Sequence, residues 1–197
     1  MTCPSIVLAS TSPYRRQLLE RLRFPFQVQA PNVDETALPS ETPRETALRL
    51  ACNKATTVAS RFPRAIVIGS DQTVEAGGGS FGKPMSHDAA LAQLQLLQGC
   101  SATFYTALAV VGPSFDNVQL DCIPTTAKFK SLSKERLEMY LRTDQPYDCA
   151  GAAKIESLGI ALMDAVESSD PTALIGLPLI RLTSMLATAG FDVLAPR

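Results

Sequence analysis

Short apolar runs alternate along the chain with stretches whose apolar residues recur at helical spacing, the pattern of an α/β protein. The runs near 5–9, 26–29, 65–70, 102–111, 118–130 and 159–163 predict strands, and the helical patterns predict helices near 13–23, 43–61, 87–98, 133–142 and 178–189. Several boundaries carry their own signals. Ser12 suits an N-cap and Pro13 a first helical position, after which Leu18, Leu19 and Leu22 form an apolar stripe. Thr42-Pro43-Arg44-Glu45 supplies a cap, a first-turn proline and the Glu of a capping box, while Gly99 and Gly190 suit the ends of the third and last helices. Gly77-Gly78-Gly79 lacks both the trailing Lys-Ser/Thr of a phosphate loop and the spacing of a dinucleotide fingerprint, and so reads as a hairpin turn. A turn at Gly112-Pro113-Ser114 would join the long strands of 102–130 in a hairpin, which makes a mixed sheet the expectation. No repeat, low-complexity tail or long linker divides residues 1–197, so a single domain is expected.

Composition narrows the chemistry. A chain of 197 residues that is 46% hydrophobic can bury a substantial core. Its formal charge of -1 argues against long nucleic acid as a partner and favours a small phosphate-bearing molecule held by a few placed cations. No apolar run reaches the roughly 18 to 20 residues needed to span a bilayer, and the N-terminus lacks the pattern of a signal peptide, so no membrane partner and a cytoplasmic location are expected. Cys3, Cys52, Cys100, Cys122 and Cys149 are scattered without a C-x-x-C pair, and most are expected to be buried structural thiols. His87, the one histidine, is expected at the surface in an exposed first turn. Acid, base and metal chemistry then falls to carboxylates, which favour magnesium or manganese.

Five places supply candidate chemistry. The segment from Ile6 to Arg16 runs from a strand into a helix start where Ser10, Thr11, Ser12 and unpaired N–H groups, with Arg15 and Arg16 beside them, would hold an anion. Asp34 and Glu35 lie in a proline-bordered loop. Lys54 is near a small-residue helix face of Ala47, Leu48, Ala51, Ala55, Val58 and Ala59, from whose edge it would project. Asp71 follows the apolar strand from Ala65 to Gly69, a frequent place for a catalytic carboxylate in α/β folds. Lys83 sits on the rigid turn Gly82-Lys83-Pro84. Taken singly, these are a capped helix, a solvated turn and surface lysines. Together they supply what nucleoside triphosphate hydrolysis needs. Arg15, Lys54 and Lys83, with a divalent metal held by carboxylates, would neutralise the phosphates, and Asp71 would orient and deprotonate water.

The ordered motifs Ser10-Thr-Ser-Pro-Tyr-Arg15, Asp34-Glu35, Lys54, Gly69-Ser-Asp-Gln72, Gly82-Lys-Pro84 and Gly151-Ala-Ala-Lys-Ile-Glu156 resemble those of the Maf family of nucleoside triphosphate pyrophosphatases along nearly the whole chain. The resemblance implies an elongated mixed sheet with flanking helices, akin to inosine triphosphate pyrophosphatase, with two lobes around a central cleft. It also implies a divalent cation (Mg, Mn or Co), a homodimer, and hydrolysis at the α-phosphate to a monophosphate and pyrophosphate. On that resemblance Asp71 is the proton acceptor, Ser10, Ser12, Arg15, Lys54 and Lys83 handle phosphate, and Glu35 and Asp71 hold metal.

Tyr14, Gln72 and Glu156 stand where the branch similar to dTTP/UTP pyrophosphatases has Arg, Thr and Gln, and they resemble the 7-methyl-GTP branch, which commonly has Trp first. The cation made by N7-methylation favours an aromatic face and a nearby carboxylate, and Glu156 could accept hydrogen bonds from N1–H and the exocyclic amine of guanine. Tyr14 and the pair Ala152-Ala153 are smaller than the residues usual in that branch, so a wider pocket with some activity on related purine nucleotides is expected. The alternatives are a dTTP/UTP pyrophosphatase and a low-turnover nucleotide-binding regulator of cell division and septum formation.

Overall fold

The computed structural model describes residues 4–113 and 118–195; Cys3 and Ser114 fall outside them. The described elements are β1 (Ser5–Ala9), α1 (Pro13–Glu20), β2 (Gln27–Gln29), α2 (Pro43–Ala59), β3 (Ala65–Ala76), β4 (Gly79–Phe81), α3 (His87–Leu97), β5 (Ser101–Val111), β6 (Val118–Phe129), α4 (Lys134–Asp144), β7 (Met163–Ser168) and α5 (Leu179–Thr188). The strands form one mixed sheet in the order β2-β1-β3-β5-β6-β7, with β4 paired to β3. β1 runs parallel to both β2 and β3, whereas β3–β4 and β6–β7 are antiparallel.

The chain divides into two compact units. The first holds the residues up to Asp71, Thr106–Ile123, and those from Asp170 onward. Its core joins Ile6 and Leu8 of β1 and Ile66 and Ile68 of β3 to Leu18 and Leu19 of α1 and Leu182 and Leu186 of α5. Phe24 meets Phe191 edge to face at 4.9 Å. Each such side chain, fully buried, contributes about 1.5–3 kcal/mol. Because strand side chains alternate, the opposite face of β3 carries Val67 and Gly69, and Gly69 lies against α2.

The second unit comprises Gln72–Tyr105 and Pro124–Ser169. Gly77 and Gly78 have φ of 58° and 78°, and Ala76 pairs with Gly79, so the glycine run is a two-residue hairpin turn in which positive φ is required. α3 and α4 pack together, with Leu94, Leu97, Leu137 and Leu141 buried.

The helices match their expected spans closely. Ser12 accepts from the Arg15 N–H, Thr42 and Glu45 form the capping box, and Gly99 and Gly190 take positive φ beyond α3 and α5. Two expectations fail. Residues 158–162 form a 3-10 turn rather than a strand, and β7 begins only at Met163. Gly159 decides this, for its N–H donates to the Lys154 carbonyl at 3.0 Å and a Cβ there would lie 2.4 Å from that oxygen. β3 continues through polar residues to Ala76, and its last three residues, Val74, Glu75 and Ala76, pair with β4, a partner that the sequence pattern does not reveal. Asp71 is therefore within a strand rather than just past one.

Two further expectations need correction. His87 is only partly exposed, with Nδ1 3.0 Å from the Tyr147 hydroxyl and Nε2 2.9 Å from Glu138. Of the four described cysteines only Cys122 is buried, and burial pushes its thiol up to about 11; Cys100 is exposed and Cys52 and Cys149 are intermediate. No helix among the described residues is long and apolar enough to cross a membrane.

Candidate active site

The parallel register of β1 on β3 ends at Ala9 opposite Gly69, so the chain leaving β1 at Ser10 starts beside Ser70 and Asp71. Ser10 is buried and its Oγ accepts from the Ser12 N–H at 3.1 Å. Ser12 in turn caps α1 by accepting from the Arg15 N–H at 3.4 Å. The hydroxyls thus stiffen the turn that aims the remaining N–H groups of the helix N-terminus, where an anion is favoured.

Arg15 leaves this helix start and donates from Nε to the Gly176 carbonyl at 2.8 Å. Gly176 has φ of 122°, which favours glycine, and the Ser70 hydroxyl lies 3.0 Å from the same carbonyl. Burial pulls the Arg15 pKa down, while the charges of Asp71 and Glu35 raise it. Gly176 was not among the sequence candidates; the signal available was a glycine placed just before Leu177-Pro178. Arg16 points away, is well exposed and pairs with Glu20 one turn on, as a solvated surface arginine does.

Lys54 is the centre of the cluster. Its Nζ lies 2.6 Å from Asp71 Oδ1 and 2.7 Å from Glu35 Oε1. The residue is only 4% exposed, so the expectation that it projects from the edge of its helix face is wrong. The reason is Gly69. A Cβ at Gly69 would stand 2.4 Å from the Ala51 carbonyl oxygen and 2.7 Å from the Ala55 nitrogen, so α2 rests directly on the β3 backbone. The small-residue face is thereby pressed on the strand, and Lys54 is carried inward toward Asp71 two residues farther along β3. Asp71 is itself 6% exposed, whereas the Glu35 side chain is 53% exposed.

Among the described residues no group of three or more His, Cys, Asp or Glu could hold a metal. The donors at hand are the carboxylates of Glu35 and Asp71, converging on one ammonium group, and among the described residues no imidazole or thiolate joins them in a group. That set fits a hard divalent cation such as magnesium, which commonly takes one or two protein carboxylates and completes its shell with substrate phosphates and water.

The other candidates are distributed as follows. Tyr14 is partly buried at the second position of α1, in the first unit. Gln72, Lys83 and Glu156 belong to the second. Lys83 is exposed, on a segment whose neighbours are tied down: the Gly82 carbonyl accepts from Gln93 Nε2 at 3.2 Å, and the Met85 N–H donates to the Tyr147 carbonyl at 2.9 Å. Ahead of Glu156, Gly151 and Ala152 both take positive φ, strained for the alanine. The buried Tyr140 hydroxyl stabilises this bend by donating to the Ala152 carbonyl and accepting from the Lys154 N–H, each at 2.9 Å. Glu156 lies at the surface, yet surrounding protein removes enough hydration to push its carboxyl pKa up, and Asp144 and Asp148 add repulsion.

A model of the family described as Maf-like protein matches residues 5–189. The 7-methyl-GTP pyrophosphatase of Methylobacillus flagellatus is 52% identical over 191 residues, 97% of this chain and 100% of its own. The protein of the same name from Thiobacillus denitrificans is 54% identical over 193 residues, 98% of this chain and 96% of its own. That of Albidiferax ferrireducens is 52% identical over 189 residues, covering 96% and 95%.

Proposed function

The chain belongs to the Maf family, and from that premise we propose that it is a 7-methyl-GTP pyrophosphatase, a single Maf-like domain over residues 1–197 that keeps a modified nucleotide out of nucleic acid. The observation that carries the reading is the buried Lys54 ammonium between Glu35 and Asp71, beside a capped helix start and a fixed arginine. Relatives about half identical over their whole length, each named for this activity, support it.

In this mechanism Asp71 accepts the proton of a water whose oxygen attacks the α-phosphorus. The bond from the α-phosphorus to the bridging oxygen breaks, and pyrophosphate leaves with that oxygen. Arg15 and Lys54 offset the phosphate charge and the charge that develops in the transition state, with Lys83 as the third cation. Ser10 and Ser12 hold the α1 N-terminus in the shape that receives phosphate. Glu35 and Asp71 would hold a divalent cation, whose Lewis acidity would help to offset the phosphate charge. Lys54 fixes the orientation of both carboxylates.

For the base, Tyr14 offers an aromatic face to the cationic 7-methylguanine, Gln72 an amide, and Glu156 an acceptor for the N1–H and amino donors. The protein works in the cytoplasm on a small-molecule nucleotide, as a homodimer, with neither nucleic acid nor membrane as partner. The test is pyrophosphate release with 7-methyl-GTP, GTP, UTP and dTTP in parallel, each with magnesium or manganese. Fastest turnover of 7-methyl-GTP is expected. Faster turnover of UTP or dTTP would overturn the base assignment and keep the chemistry, and silence on all four would favour a nucleotide-binding regulator.

A further inference from the structure

Residues 30–42 contain neither helix nor strand, yet this segment delivers Glu35 to Lys54. What holds it is a group outside the cluster just described. Arg49 of α2 grips the Glu41 carboxylate with two donors, Nε to Oε1 and Nη2 to Oε2 at 2.7 Å. The same Nη2 donates to the Thr36 carbonyl at 3.0 Å. Glu41 Oε2 also accepts from the Leu38 N–H at 3.1 Å and from the Thr46 hydroxyl at 3.0 Å. Asp34 closes the near end by accepting from the Thr36 N–H at 2.9 Å. Glu35 therefore sits between a residue that turns back on Thr36 and Thr36 itself, which Arg49 pins to the helix carrying Lys54.

Arg49 and Glu41 are far less exposed than Glu35, with side chains at 24% and 13% against 53%. The planar two-donor geometry sets direction as well as distance, which a lysine cannot reproduce. Arg49 holds the Glu41 carboxyl down to about 2, so the pair stays ionised throughout the neutral range.

We propose that Arg49 and Glu41 are positioning residues that clamp the Asp34–Glu35 arm so that the Glu35 carboxylate is held on Lys54 for the reaction. The inference rests on the pyrophosphatase reading for its kinetic consequence. Neither residue is placed against substrate; they act by holding Glu35, and the charge interaction of Arg49 with Asp71 is the smallest of those it makes with Glu41, Asp34 and Asp71.

A double-mutant cycle separates that from a general structural role. Arg49→Ala, Glu35→Ala and the double variant are compared by thermal unfolding and by pyrophosphate release from 7-methyl-GTP with magnesium. Arg49→Ala is expected to lower kcat by about tenfold or more with KM moved much less, and to add nothing once Glu35 is alanine. Arg49→Lys should recover part of the loss. An equal fold-loss from Arg49→Ala in both backgrounds would overturn the proposal. Should Arg49→Ala fail to fold, Glu41→Gln takes its place in the same cycle. Amide exchange in the same proteins needs no turnover. Arg49→Ala should speed exchange at Leu38 and Thr36, and unchanged exchange would overturn the clamp. A wild-type protein silent on every nucleotide would instead overturn the pyrophosphatase reading, leaving the clamp to be judged by exchange alone.

Discussion

Lys54 shows how much one side chain's surroundings decide. Moving an ammonium group out of water is costly, and here two carboxylates at 2.6 and 2.7 Å offset that cost. Lys54→Met would take from Asp71 the ammonium group bonded to it, and a loss of about 3–5 kcal/mol is expected in denaturant unfolding together with loss of turnover. Asp71→Asn leaves Lys54 paired with Glu35, so the fold should persist while kcat falls by about 10²–10⁴ and nucleotide affinity, read by calorimetry, is kept. Turnover equal to wild type would remove Asp71 from the mechanism. Glu156 predicts a pH effect whose sign follows from burial. Partial desolvation favours the neutral acid, so the proton is retained to higher pH than in an ordinary glutamate. KM for 7-methyl-GTP should therefore rise as pH falls through that raised value, and Glu156→Gln should flatten the profile. A profile that is the same in both proteins would refute the role.

At the scale of elements, the cluster exists because α2 lies on β3 without a side chain between them. Gly69→Ala would drive a methyl group into the Ala51 carbonyl and the Ala55 nitrogen, both backbone atoms that cannot rotate away. α2 must then shift, at a cost of about 1–3 kcal/mol. Lys54 lies in the turn that has to move, so thermal unfolding and pyrophosphate release should both fall in Gly69→Ala, with Asp71 chemically intact. Full activity in that variant would mean that close approach of helix and strand is not what sets the Lys54–Asp71 distance. The 3-10 turn at 158–162 teaches the complementary lesson. Its apolar residues satisfied a strand pattern, but burial of Gly159 and Leu162 follows a three-residue period, and a local carbonyl captured the Gly159 N–H.

For the molecule as a whole, the balance of charge in the cluster bears on what a metal ion would do there. Glu35 and Asp71 already have Lys54 as counter-ion, so the fold does not need a cation to neutralise them. Chelation with EDTA is therefore expected to abolish pyrophosphate release while leaving the thermal midpoint nearly unchanged, since stabilisation by an ion scales with its affinity for the folded chain. A drop of many degrees would show a structural ion instead. The units differ in how legible they were. The core of the first, with Ile6, Leu8, Ile66 and Ile68 on one face, is plain from strand alternation, whereas the His87–Tyr147–Glu138 contacts of the second join residues up to 60 positions apart that no local pattern links.

Local chemistry determined what could be read from the sequence by itself. Caps, first-turn prolines, the two-glycine hairpin and the apolar periods each depend on residues a few positions apart, and the α/β class, the five α-helices among the described residues and the glycine turn followed from them. The residue types at Ser10, Arg15, Glu35, Lys54 and Asp71 likewise raise the expectation of a phosphate chemistry. Only the tertiary structure decided that Lys54 is buried rather than snorkelling, that Gly176 anchors Arg15, that Arg49 and Glu41 hold the Glu35 arm, and that Asp71 lies inside a strand. These outcomes depend on how closely two backbones approach and on which distant carbonyl meets a donor, and neither distance is encoded in the spacing of residues along the chain.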